Sequence, residues 1–189
     1  MSNLSERDLA LFNMGSYENP HYHSKQVGAD WSVDDELSDH HSTIYHNPNT
    51  KHTVVAFRGS AEKHDIGTDA LLFLNLGAKT NRFKDANALT DKVIQKYGKQ
   101  NTSLTGHSLG GAIASNVSKN KDLDTTTFSK GRTLLPTKNA PREKSLRSIL
   151  DPLSGSAIIP SAFSLPNLLI GGSGRLPKST NPHSLANFI

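Results

Sequence analysis

The stretch Leu104–Ala114, LTGHSLGGAIA, decides how the rest of this chain is read. Gly106 and Gly110 stand on either side of Ser108 in the order G-x-S-x-G. That spacing describes a sharp turn from a strand into a helix with a serine at its apex. A strand arriving through Leu104 and a helix leaving at Leu109 would hold Ser108 in a strained backbone conformation, with its hydroxyl projecting from the sheet edge. Side chains at positions 106 and 110 would collide with neighbouring elements. The helix start also offers unpaired N–H groups and a positive dipole end where an oxyanion would form. Ser108 is therefore the candidate nucleophile. The bare pattern fits equally a glycine-rich helix start with a capping serine, so its surroundings must discriminate.

Those surroundings read as alternating strands and helices. Just before the motif, TSL is a short strand, and LGGAIASNVSKN after it is a small-residue helix able to pack closely. Upstream, Thr80–Tyr97 places Phe83, Ala86, Leu89, Val93 and Tyr97 at helical spacing and ends at Gly98. Before that helix, STIYHNPNTKHTVVAFR (42–58) gives two β-like runs around Asn-Pro-Asn, a hairpin whose second run, Val54–Phe57, enters the core. Strand, helix and strand in succession form the crossover that builds parallel sheets. Downstream, LDTTTFS and SLRSIL read as further strands, separated by a basic connection from Ser129 to Lys144. The expected class is α/β, with a mostly parallel central sheet flanked by helices. No repeat or linker divides the sequence, so residues 1–189 are expected to form a single domain.

Composition narrows the chemistry. Cysteine is absent, which excludes disulfides, thiolate metal sites and a cysteine nucleophile. The opening MSNLSERDLALFN carries charges where a secretory signal needs an apolar core, so an intracellular or particle-associated protein is expected. The apolar segment Ala157–Ile170 is too short and too proline-interrupted to span a bilayer. It reads as core, with an apolar rim beside an acyl cleft as the alternative. Charge is uneven: residues 1–69 hold 5 Lys/Arg against 11 Asp/Glu, and residues 70–189 hold 16 against 6. The basic C-terminal part is either a solvated face or a contact for an anionic membrane surface. No nucleic-acid motif accompanies it, and no nucleic-acid partner is expected.

Chain order selects partners for Ser108. In α/β-hydrolase folds the acid and then the histidine follow the serine. Eight of the nine histidines lie at or before residue 107, leaving His183 as the general base. Four acids follow Ser108: Asp122, Asp124, Glu143 and Asp151. Asp151 directly follows SLRSIL and precedes a proline, so it should lie at the C-terminal end of a strand, where open α/β sheets place functional groups. A turn-forming Asp-Pro is its alternative reading. Asp122 and Asp124 fall in the loop after the motif helix as solvated or capping groups. Ser60, in VVAFRGS, supplies an oxyanion donor from an earlier strand end, and the Leu109 N–H supplies the other. Such chemistry needs no metal and no cofactor.

Taken together, VVAFRGS, DIGTDALLF, LTGHSLGGAIAS, ILDPL and HSLANF resemble the class 3 (fungal-type) triacylglycerol lipase family over residues 40–189. The resemblance implies an α/β-hydrolase fold and hydrolysis of lipid carboxylic esters through an acyl-serine. By motif it sets the nucleophile on Ser108, the acid on Asp151, the base on His183, and the oxyanion donors on Ser60 and Leu109. It also implies a lid near Ala61–Asp69, whose Asp65 and Asp69 are read as structural. Secreted members of that family are larger and usually have disulfides. Here 43 residues separate Ser108 from Asp151 and 32 separate Asp151 from His183. That economy resembles compact lipase-like proteins, such as those of some large DNA viruses. A phospholipase acting on membranes and a non-catalytic lipid-binding or structural particle component are the alternative functions.

Overall fold

The computed structural model describes residues 4–59, 81–130, 139–148, 173–175 and 184–189. Among the described residues seven strands form one sheet in simple sequential order. They are β1 (Ser32–Val33), β2 (Ser42–Asn47), β3 (His52–Phe57), β4 (Thr102–His107), β5 (Thr125–Phe128), β6 (Glu143–Ser148) and β7 (Ser173–Arg175). The first three run antiparallel to one another, and β3 through β7 are parallel. The sheet is thus mixed, within the α/β class expected.

The helices are α1 (Glu6–Gly15), α2 (Pro20–Val27), α3 (Asn81–Tyr97) and α4 (Leu109–Lys121), with short 3-10 turns at Lys99–Asn101 and Leu185–Phe188. The β2–β3 hairpin closes through Asn47, whose side-chain oxygen accepts the N–H groups of Asn49 at 3.0 Å and Thr50 at 3.1 Å. This is the Asx geometry that an Asn-Pro-Asn sequence favours. It pairs Ser42 with Phe57 and Asn47 with His52.

Strands β3, β4 and β5 advance in one direction across the sheet, and right-handed crossovers then carry α3 and α4 to the same face. The buried side chains sort accordingly. Ile44, Val55, Phe57 and Leu104 pack against Val93 of α3 and Ile113 and Val117 of α4. Their neighbours Tyr45, Val54 and Ala56 point to the other face and meet Leu9, Ala10 and Phe12 of α1. This is the two-residue alternation of a strand buried on both sides.

Crossover helices cannot cover that second face, and the two ends of the chain do so instead. Ser5 caps α1 reciprocally with Asp8: the Asp8 N–H donates to Ser5 Oγ at 3.2 Å, and the Ser5 N–H to Asp8 Oδ2 at 2.9 Å. Buried Asn13 then donates to Thr105 Oγ1 on β4 at 2.6 Å, and the Tyr45 hydroxyl donates to the Phe12 carbonyl at 3.0 Å. Phe188 packs on Phe128 with ring centroids 5.1 Å apart.

The strand read at SLRSIL begins earlier than expected, at Glu143, because residues 143–146 pair with 125–128 of β5. Asp122, in αL geometry at φ 53°, caps the end of α4, and Asp124 pairs with Arg142 at 2.8 Å. Among the described residues no helix is long and apolar enough to cross a membrane. The segment Ala157–Ile170 lies outside the described residues.

Candidate active site

Ser108 sits where β4 ends and α4 begins, at φ 56° and ψ −123°. A non-glycine residue at positive φ is strained by roughly 1–3 kcal/mol and persists only where its surroundings over-determine it. Here they do. The Ser108 N–H donates to the Phe128 carbonyl of β5 at 3.1 Å, while its own carbonyl accepts the Ala112 N–H at 3.2 Å. A Cβ on Gly106 would collide with the carbonyl of Gly110, and one on Gly110 with the carbonyl of Phe57. Helix and strands therefore meet at backbone contact, as the two glycines suggested. The Ser108 side chain makes no capping bond to α4, which removes the capping-serine reading. Leu109 is the first residue of α4, with its side chain buried in the α3/α4 core and its N–H in the unpaired first turn.

Parallel strands deliver their C-terminal ends to this same edge. Gly59, just past β3, lies so close to the turn that a Cβ there would be 2.8 Å from the His107 carbonyl and 3.3 Å from Ser108 Cβ. Its N–H donates to the Tyr17 hydroxyl at 2.8 Å, and that hydroxyl lies 3.2 Å from His107 Nδ1. With one lone pair engaged by Gly59, the phenol is free to donate to the imidazole. Burial pushes the Tyr17 hydroxyl up to about 12, against the lowering effects of the Gly59 hydrogen bond and of Arg58 and Arg82. The phenol thus stays protonated at working pH. It ties the β3 loop and the serine turn to the segment after α1, a connection the motif reading missed.

Two arginines complete this edge. The Arg58 guanidinium lies over the Tyr17 ring, 5.4 Å from its centroid, and Arg82 Nη2 donates to the Arg58 carbonyl at 2.7 Å. Burial, together with the Arg58 charge, lowers Arg82, with Tyr17 and Asp39 acting in the opposite sense.

Behind the turn lies a buried ion pair. The Glu143 carboxylate, whose side chain is 0% exposed, accepts from Lys130 Nζ at 2.6 Å, Ser115 Oγ at 2.6 Å, Thr127 Oγ1 at 2.9 Å and the Ala140 N–H at 2.9 Å. Burial alone would raise this carboxyl; the Lys130 charge and these hydrogen bonds outweigh it and hold it below the ordinary carboxylate range. The network joins α4 to β5 and β6 and so braces the helix that starts at the serine.

Of the residues expected to act, Ser108 and Leu109 are described together at the turn. Ser60, Asp151 and His183 lie outside the described residues, as does the lid region Ala61–Asp69 with Asp65 and Asp69. Some basic residues of the C-terminal part are paired with acids: Lys121 with Asp91 at 2.6 Å and Lys144 with Glu6 at 2.7 Å, besides Lys130 and Arg142.

A family model described as a Tle-like phospholipase domain matches residues 21–138, more than half of the chain. The chain belongs to the Tle-like phospholipase domain family. Curated proteins include no significant match to it. Among solved structures, this Tle-like domain is similar to a mutant form of MDLA from Penicillium cyclopium, with TM-score 0.54 and 15% identity over 97% of this chain and 83% of that one. It is also similar to the native Rhizomucor miehei lipase propeptide complex, with TM-score 0.50 and 16% identity over 84% of this chain and 63% of that one. A deletion mutant of that complex matches at TM-score 0.47 and 14% identity, covering 76% of this chain and 59% of the other. The domain therefore spans about 59–63% of the Rhizomucor chains it matches. At such identities the likeness is one of fold. The likeness to these lipases does not single out the class 3 family that the motifs resemble.

Proposed function

We propose that this chain is a single-domain, size-reduced α/β-hydrolase that cleaves carboxylic esters of lipids through an acyl-Ser108 intermediate. The observation that carries this reading is the strained, glycine-clamped backbone of Ser108 at the start of α4. Strain held at one serine, with its side chain unused by the helix it begins, is the arrangement a projecting nucleophile requires.

In this reading His183 takes the Ser108 proton as Oγ attacks the ester carbonyl, and Asp151 holds and stabilises the imidazolium. The N–H groups of Leu109 and Ser60 receive the oxyanion. Collapse releases the alcohol, which takes its proton from His183; water then attacks the acyl-enzyme by the same route. Three described features support the partners. Strand β6 runs parallel to β5 and ends at Ser148, three residues before Asp151, at the sheet edge where Ser108 lies. The other downstream acids are engaged elsewhere: Asp122 caps α4, Asp124 pairs with Arg142, and Glu143 is buried with Lys130. Directly after His183, Ser184 caps the turn Leu185–Phe188, whose Phe188 packs on Phe128, the residue that accepts the Ser108 N–H.

Family membership supports a phospholipid as the ester donor. The test is labelling of folded protein with a fluorophosphonate, alongside hydrolysis of short-chain esters. Wild type should label and hydrolyse, and Ser108→Ala should do neither. Equal labelling of both, or none of either, would favour the non-catalytic lipid-binding component instead.

A further inference from the structure

The two arginines beside the serine turn carry something the ester chemistry does not use. Arg58 follows β3 directly, Arg82 is the second residue of α3, its Nη2 donates to the Arg58 backbone carbonyl at 2.7 Å, and the two guanidinium charges are near enough for Arg58 to disfavour the charge on Arg82. Adjacent cations repel, and half-buried arginines ordinarily find a carboxylate. Among the described residues neither does so, and the Nε of each is buried without a hydrogen-bond partner. Five other described basic residues do find one: Lys96, Lys121, Lys130, Arg142 and Lys144 each lie 2.6–2.9 Å from an acid. Asp39 attracts Arg82 through space, but it forms no ion pair with either arginine and accepts the His41 N–H at 2.7 Å. The Tyr17 ring beneath Arg58 compensates part of its charge and satisfies none of its N–H donors in the guanidinium plane.

We propose that Arg58 and Arg82 form an anion subsite that holds the phosphate of a phospholipid while its acyl ester meets Ser108. Guanidinium groups match phosphate oxygens in geometry and charge, and an anion between two of them removes their repulsion. The position suits one molecule. Gly59, the residue after Arg58, would set a Cβ only 3.3 Å from Ser108 Cβ, and the Arg58 carbonyl carbon would lie 2.9 Å from a Cβ on Gly110. In a glycerophospholipid the phosphate and the acyl carbonyls are a few bonds apart on the same glycerol. The inference rests on the proposed ester hydrolysis for the lipid's purpose there, but binding at the subsite does not require Ser108 to react.

The experiment separates the two. In the Ser108→Ala background, dihexanoyl phosphatidylcholine below its micelle concentration, dihexanoylglycerol and inorganic phosphate are titrated by NMR, with and without Arg82→Gln. A charged hydrogen bond lost to the phosphate should weaken phosphatidylcholine binding about tenfold or more, with a much smaller change for dihexanoylglycerol. With Ser108 intact, the ratio of kcat/KM for these two lipids should fall about tenfold or more in Arg82→Gln and recover in part in Arg82→Lys, which keeps the charge. Equal weakening of both lipids, or no weakening of either, overturns the subsite. Saturation by inorganic phosphate with no Arg82-dependent binding of phosphatidylcholine overturns the headgroup assignment. If Arg82-dependent phosphatidylcholine binding persists while wild type hydrolyses neither lipid, the subsite stands and the hydrolase reading fails.

Discussion

Gly110→Ala is the most informative single change, because its cost comes from backbone that cannot rotate away. The new methyl would overlap the Phe57 carbonyl oxygen, with the Phe57 carbonyl carbon 2.8 Å and the Arg58 carbonyl carbon 2.9 Å away. Two of these atoms belong to the last residue of β3 and the third to the residue that follows it. The start of α4 must therefore move off the sheet, carrying the Leu109 N–H and Ser108 with it. Overpacking of this kind costs about 1–3 kcal/mol, and more where nothing can give. Misplacing a reacting group by about 1 Å costs on the order of 10²-fold in rate. Gly111→Ala is the internal control: its methyl would meet the Gly106 carbonyl oxygen and Lys130 Cα at 3.2 Å, distances that a shift of a few tenths of an ångström accommodates. Alanine also gains up to about 1 kcal/mol over glycine within a helix, so the net change at position 111 should lie near zero. Urea unfolding and short-chain ester hydrolysis of both variants measure these effects. If Gly110→Ala matches wild type in midpoint and turnover, or if the two variants behave alike, the close contact of α4 with β3 is not what holds the serine turn.

Ser108→Gly should abolish ester hydrolysis yet raise stability by about 1 kcal/mol in chemical denaturation, since glycine relieves the φ of 56°. Glu143→Gln leaves the Lys130 ammonium buried without its counter-charge and should cost about 3–5 kcal/mol, measured by urea unfolding. The wild-type pH profile should reflect the same carboxylate. Because the folded-state value is depressed, its contribution is complete above about pH 5 and is lost as pH falls through and below the ordinary carboxylate range, a slope that Glu143→Gln should flatten. Tyr17→Phe removes the acceptor of the Gly59 N–H and should cost about 1–3 kcal/mol, with kcat falling more than KM changes in steady-state ester kinetics.

Much of this architecture is local, and local features were legible. The Asn-Pro-Asn hairpin, the helix over Asn81–Tyr97 and the strand entering the serine turn follow from turn chemistry and from 3.6-residue or two-residue periodicity. Helix α1 is legible in principle, since Ser5 and Asp8 spell its reciprocal cap ahead of LALF, although the charges of that opening speak first against a secretory signal. The share of a site that chain order can supply is its sequence of roles, Ser108 then Asp151 then His183. Order carries no distances. Neither the acid network around Glu143 nor the clustering of Tyr17, Arg58 and Arg82 leaves a periodic trace, because each joins elements far apart in sequence.

By itself, then, the amino-acid sequence determined the serine turn. Steric exclusion at Gly106 and Gly110 acts over a few residues and reads directly from G-x-S-x-G. Only the tertiary structure decided what surrounds that turn. Sequential strand order sends the crossover helices to one face and leaves the other to the chain's two ends. Docking α1 on that second face brings Tyr17 to Gly59 and His107 and lays its ring against the Arg58 guanidinium, while the start of α3 brings Arg82 to the Arg58 carbonyl. Those contacts arise from burying two apolar faces of one sheet at once, a condition that no short stretch of sequence can express.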